Sequence, residues 1–121
     1  MSGETERRGL AERTVDYGIA VMELCEKLPH GFAARHVAGQ LIRSATSVAA
    51  NYAEATDAES RDDFVHKMKI ALKELKESRV WLLFASRLSG APNVEALRRE
   101  SRELVLMLGK GISTASGRVR Q

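Results

Sequence analysis

The 121-residue chain reads as an all-α protein, an antiparallel up-down-up-down four-helix bundle. Three observations carry that reading. Apolar residues recur at intervals of three and four along four long segments, the period of a helix with a buried face. The two prolines, Pro29 and Pro92, both fall between those segments. No alternating β-branched run and no Asn-Gly hairpin signal interrupts them. Segments of ~20–28 residues on short loops pack best side by side with alternating direction, in a bundle roughly 30–40 Å long.

The first helix is expected from Leu10 to Leu28, with Val15, Ile19, Met22 and Cys25 as its apolar stripe. Pro29-His30-Gly31 ends it, because proline disfavours helix at the residue before it and glycine accepts a left-handed exit. The second helix is expected from Ala33 to Thr56, where Val37, Leu41, Ala45, Val48, Tyr52 and Ala55 make a bundle seam. Ser60 followed by Arg61-Asp62-Asp63 is an N-cap with an acidic first turn, opening a third helix to Leu88. Its inner stripe is Phe64, Met68, Ala71, Leu75 and Leu82. Ser89-Gly90-Ala91-Pro92 breaks it. Asn93 then caps a fourth helix with Val94, Leu97, Leu104, Leu108 and Ile112 inside. The bundle domain is set at residues 10–112, between a flexible segment 1–9 and a flexible basic tail 113–121.

Hydrophobic residues make up 44% and charged residues 29%, a globular composition. A single cysteine, Cys25, excludes an internal disulfide and points to a reducing compartment. The opening MSGETERRGL has no apolar core of the signal-peptide kind. Cytoplasmic location with no membrane contact is the expectation. Net charge is +3, unevenly spread. Residues 1–60 hold 6 Lys/Arg against 9 Asp/Glu, a net of −3, whereas residues 61–121 hold 13 against 7, a net of +6. A molecule so polarised can offer a basic face to phosphates, or set the acidic half of one copy against the basic half of the next.

Helix three carries apolar residues on two sides. With Phe64 at zero and 100° per residue, the inner stripe falls within about 40° of zero, whereas Ile70, Trp81 and Phe84 fall near about 240°, 260° and 200°. Either several neighbours contact a broad core, or Ile70, Trp81 and Phe84 form a subunit interface. The exposed aromatic pair favours the interface, and hence a homo-oligomer.

Helix two carries a polar stripe, Arg43, Ser47, Asn51 and Glu54, at bundle spacing. A hairpin turning near residue 58 predicts the pairs Arg43–Glu74 and Glu54–Lys67. Periodicity alone favours a solvated face with weak pairs; the sharper reading is a partly buried network, including Glu77, that fixes helix register or lines a site.

Known site chemistries find little support. A di-metal bundle needs Glu-x-x-His on two helices, and Asp63-x-x-His66 is the one weak analogue, so no metal is expected. Cys25 lies on an apolar stripe without a His at helical spacing, which suits a core thiol. Ser44 and Ser47 lie inside a helix without an evident base. No phosphate loop, nucleophile elbow or dinucleotide fingerprint occurs. No catalytic residue and no cofactor are expected, and the chain is read as a non-enzyme. The residues suited to phosphate are Lys69, Lys73, Lys76 and Arg87 on helix three, Arg98, Arg99 and Arg102 on helix four, and Arg118 and Arg120 in the tail. A solvated face explains them equally well. Without interleaved aromatics, any binding is backbone-led and weakly sequence-specific.

The run Arg43-Ser-Ala-Thr-Ser-Val-Ala-Ala-Asn51-Tyr-Ala-Glu54-Ala, with Phe64, Lys73-Glu74, Glu77-Ser and Trp81-Leu82 downstream, resembles the four-helix-bundle family of 23S rRNA intervening-sequence proteins. That family carries R-x-A-x-S-[IV]-x-x-N-[IY]-A-E-[AG] on helix two and F-x-x-K-x-x-I-A-x-K-E-x-x-E-[ST]-x-x-W-L on helix three. The likeness spans residues 13–110. It implies a bacterial protein that assembles as a ring, a homopentamer in several relatives. The related accessory variability determinant proteins of diversity-generating retroelements are basic pentamers that bind nucleic acid and a reverse transcriptase. The resemblance marks Asn51, Glu54, Lys73, Glu74, Glu77 and Trp81 as motif positions without assigning them chemistry. This sequence is less basic than those relatives. The function expected is a homo-oligomeric accessory protein associated with RNA or DNA, against a protein-interaction scaffold or a small carrier using the Arg43–Asn51–Glu54 stripe.

Overall fold

The structure, a computed structural model, describes residues 9–117. Four helices account for nearly all of them: α1 Gly9–Glu26, α2 Phe32–Thr56, α3 Arg61–Ser86 and α4 Glu95–Ser116. Among the described residues there is no strand, and no helix is long and apolar enough to cross a membrane.

Local chemistry sets the helix ends. The chain turns after α1 on Lys27 N–H to Leu24 O and Leu28 N–H to Cys25 O bonds, ahead of Pro29. Gly31, at φ 138, makes a backbone angle that a side chain would resist, and α2 begins at the next residue. Ser60 Oγ accepts from Asp63 N–H at 3.0 Å, and Asp62 and Asp63 place negative charge in the positive first turn of α3. Asn93 Oδ1 accepts from Glu95 N–H at 2.7 Å at the start of α4. Gly117, left-handed at φ 82, closes that helix. Residues 113–116, expected in a flexible tail, are helical: Ile112 beneath them is buried, and Ser116 Oγ donates back to Ile112 O.

Each helix contacts the next and α4 returns to α1, whereas the diagonal pairs do not approach at backbone level. Along α2 and α3 the partners run in opposite senses: His36 meets Trp81, Arg43 meets Glu74, and Glu54 meets Lys67. Leu41, Val48, Leu75, Leu82, Leu104 and Leu108 are wholly buried between the helices.

Helix α1 departs from the expected stripe. Its buried side chains are Thr14, Tyr17, Val21 and Leu24, with Leu28 just beyond, while Val15, Ile19 and Met22 face outward. Two stripes compete on this helix, and the one inside runs through Tyr17, Val21, Leu24 and Leu28. Gly18 faces α2, where a Cβ would make ordinary contact with Thr46 Cγ2 at 3.5 Å, so the packing there does not require glycine. Tyr17 is fixed inside by its hydroxyl, 2.8 Å from Ser78 Oγ. Ser78 spends its own proton on Leu75 O at 2.6 Å, so Tyr17 is the donor. Burial pushes the Tyr17 phenol up. Tyr17→Phe removes one buried bond yet leaves Ser78 a partner, and is expected to cost about 1 kcal/mol in urea-unfolding experiments.

Candidate nucleic-acid interface

Two polar features occupy different sides of α3. The first lies in the α2–α3 seam. Arg43 Nη1 donates to Glu74 Oε1 at 3.2 Å, and its Nη2 pairs with Glu77 Oε2. The Trp81 indole N–H donates to the same Glu77 oxygen at 3.1 Å. Lys67 Nζ meets Glu54 Oε1 at 2.8 Å one end further along. Arg43 first, and Trp81 second, hold the Glu77 carboxyl below the usual carboxylate range. A lowered acid pKa stabilises the fold above that range, and the contribution disappears as pH falls through it. These side chains are substantially exposed, so the seam is solvated ion pairing and not a buried site. Asn51 does not join it: its Nδ2 donates to Ser47 O, within its own helix, at 2.9 Å.

Trp81, expected on an outer face, lies partly under α2. It is half-buried, edge-on to His36 with ring centroids 5.6 Å apart, and packs against the core cluster. The reason is that α2 lies against this flank of α3, which the angular reading took for an outer face. Ile70 is half-buried as well. Phe84 does point outward, beside Val80 and Leu83.

The second feature is a basic strip. Lys69, Lys73 and Lys76 are all exposed and line, with Leu72, a shallow depression of about 290 Å³ on α3. Among the described residues none of the three makes an ion pair. Arg61, His66 and Lys69 line a neighbouring hollow with Asp62, Val65 and Ser116, carrying the strip to the start of α3. Sequence reasoning missed Arg61 and His66; their spacing from Lys69 and Lys73 along α3 was the available signal. Arg79 Nε donates to Ser101 Oγ at 2.8 Å, fixing α4 against α3. Arg98 and Arg102 stand about 60° and about 100° round α4 from the buried Ser101, and Arg99 about 160°. Arg98 reaches Glu95 only at 3.9 Å, and Arg102 is exposed. Arg99 is exposed as well. Arg87 is separated from the lysines by Val80 and Leu83, in a recess with Phe84. Arg118 and Arg120 lie outside the described residues.

A third polar contact escaped the sequence reading altogether. Arg13 forks onto Glu100 through Nε at 3.1 Å and Nη2 at 2.8 Å, and Nη2 also reaches Glu103 at 2.8 Å, tying α1 to α4. These bonds raise the guanidinium pKa.

Cys25 is half-buried in a hollow that also holds His30 and Arg35. Burial, with Glu26 nearby, pushes its thiol up to about 11, the reverse of an activated nucleophile. Alkylation by iodoacetamide is expected to rise about tenfold per pH unit from neutrality past pH 9, where an ordinary thiol with pKa near 8.5 would level off. No group of three or more His, Cys, Asp or Glu among the described residues is placed to hold a metal.

Four helices with a solvated polar seam and an unpaired basic strip define a small all-α protein whose distinctive chemistry lies on its outer faces. A family model described as 23S rRNA-intervening sequence protein matches residues 10–110, and the chain belongs to that family. A solved structure of a protein with unknown function from the S23 ribosomal protein family of Bacteroides thetaiotaomicron is 30% identical to this chain. It superposes with a TM-score of 0.75, covering 84% of this chain and 96% of that one. No curated protein matches the sequence.

Proposed function

We propose that this protein is a non-catalytic, cytoplasmic accessory protein whose α3 strip binds the phosphate backbone of structured RNA. Its helices run antiparallel, up-down-up-down, and its copies assemble as a homo-oligomer, five being the number that the family resemblance implies. The observation that carries the reading is the set Lys69, Lys73 and Lys76, exposed on one face and in no ion pair among the described residues, although Lys73 stands near enough to Glu77 to help lower its carboxyl. Exposed lysines along a helix neutralise successive phosphates and release their counterions, so affinity grows with the number of copies that present the strip. Recognition of this kind is led by shape and backbone, because no aromatic side chain shares the depression with the lysines. The family description, which ties its members to 23S rRNA genes, makes rRNA fragments the first substrate to try.

Mobility-shift titration of structured rRNA fragments at about 50 mM salt tests the reading. A shift is expected at that salt. Its absence overturns RNA binding and favours the second reading, a protein-interaction scaffold, which the outward apolar side chains of α1 and α3 support.

A further inference from the structure

Where the basic strip begins, at the start of α3, the surface is concave. Arg61, Asp62, Val65, His66 and Lys69 of α3 and Ser116 of α4 line a hollow of about 340 Å³. Lys69 also lines the shallow depression with Lys73 and Lys76, so the hollow is the end of one continuous basic surface. With Arg61 at zero and 100° per residue, Val65, Lys69, Asp62 and His66 fall at about 40°, 80°, 100° and 140°, and Lys76 and Lys73 at about 60° and 120°. One side of α3 therefore carries them all, and the last turn of α4 borders the hollow at Ser116.

The hollow and the strip are charged differently. Along the depression the cations come one per turn, at Lys69, Lys73 and Lys76, which suits the single charges of successive phosphodiesters. Around the hollow, Arg61, His66 and Lys69 surround one space, all three exposed and in no ion pair among the described residues. Arg61 brings a planar fork that can hold two phosphate oxygens, and Lys69 a compact ammonium. His66 donates an N–H as neutral imidazole and gains a charge on protonation. Among the described residues of the lining, Asp62 is the one carboxylate. Set against Arg61 and Lys69 it leaves one positive charge, and an imidazolium at His66 makes that two. The Ser116 hydroxyl gives its proton to Ile112 O at 2.6 Å, which leaves donation to the three basic side chains. A phosphomonoester carries about −1.5 to −2 charge at pH 7 and three acceptor oxygens. An internal phosphodiester, bonded on both sides, carries less charge and fewer free oxygens.

We infer that the hollow at Arg61, His66 and Lys69 takes a terminal phosphate of the RNA that lies on the strip, so that the protein binds phosphorylated RNA ends in preference to hydroxyl ends. The inference rests on the phosphate-backbone reading above and adds to it a fixed end point. A strand whose end is seated between Arg61 and His66 passes Lys69, Lys73 and Lys76 in turn, which sets its register along α3.

One structured rRNA fragment prepared in three forms tests it: with a 5′-phosphate, with a 3′-phosphate, and with hydroxyls at both ends. At about 50 mM salt, at least one phosphorylated form is expected to bind about tenfold more tightly than the hydroxyl form, a factor that one added charge-assisted hydrogen bond supplies. Which form gains shows whether the seated end is 5′ or 3′. The double variant Arg61→Gln with His66→Gln is expected to bring that ratio to about one. Both side chains are exposed, so its helicity by circular dichroism is expected to stay at the wild-type level. Lys73→Gln is expected to weaken all three forms by a common factor and to keep the ratio. Equal binding of the three forms by the wild type overturns the terminal-phosphate site while leaving the strip standing. A preference that survives the double variant also overturns it. Binding of none of the three overturns the strip and the hollow together.

Discussion

Reversing Lys69, Lys73 and Lys76 to glutamate together is expected to abolish the RNA mobility shift while leaving the helix content unchanged. The three side chains are exposed and make no ion pair among the described residues, so their removal breaks no contact that holds α3 in place. Each lysine that meets a phosphate contributes about one unit to the salt slope, so the triple variant loses about three. Charge reversal adds repulsion to that loss, and the affinity at about 50 mM salt is expected to fall by at least roughly a hundredfold. Lys67→Gln serves as the control: its ammonium is engaged with Glu54 across the α2–α3 seam, and its loss is expected to change binding little. Equal loss from both variants would show that net charge, and not the strip, governs binding.

Leu75→Ala is expected to give the largest loss of stability of any single truncation considered, about 2–5 kcal/mol in denaturant unfolding. Leu75 is wholly buried at mid-length in α3, between Ala71 and Ser78 on the inner face. Its carbonyl accepts the Ser78 hydroxyl that in turn receives Tyr17, so it sits where the polar thread crosses the core. Truncation leaves a cavity in the core cluster, and the neighbouring close-packed side chains collapse into it only in part. For a domain of this size, a loss of that order lowers Tm by roughly 10 °C or more. A change within about 0.5 kcal/mol, typical of surface positions, would contradict the placement of Leu75 at the centre of the bundle.

The seam of α2 was legible because one stripe dominates it. Val37, Leu41, Ala45, Val48 and Ala55 are buried, and Tyr52, the sixth residue of the expected seam, is half-buried. The pairs Arg43–Glu74 and Glu54–Lys67 followed from the same hairpin register. Helix α1 was not legible in this way. Val15, Ile19 and Met22 make one apolar stripe and Tyr17, Val21, Leu24 and Leu28 another at helical spacing, and the second is inside. Tyr17 is held there by a partner 61 positions away, Ser78, which enters no periodicity. The partial cover of Trp81 by α2 was not legible for a related reason: angular position tells where a side chain stands on its own helix, not where the neighbouring helix lies. The fork from Arg13 to Glu100 and Glu103 spans nearly the whole chain and had no local signal. Of the basic positions, the shared face of Lys69, Lys73 and Lys76 was readable from their spacing, whereas the separation of Arg87 from them by Val80 and Leu83 needed the surface itself.

The most direct test of phosphate binding by α3 is the salt dependence of wild-type affinity for a structured rRNA fragment, measured between about 50 and 200 mM. Three lysines on phosphates predict that log Kobs falls against log salt with a slope of about −2 to −3 for each bound copy. A slope near zero would mean that whatever holds RNA, if anything does, is not this strip.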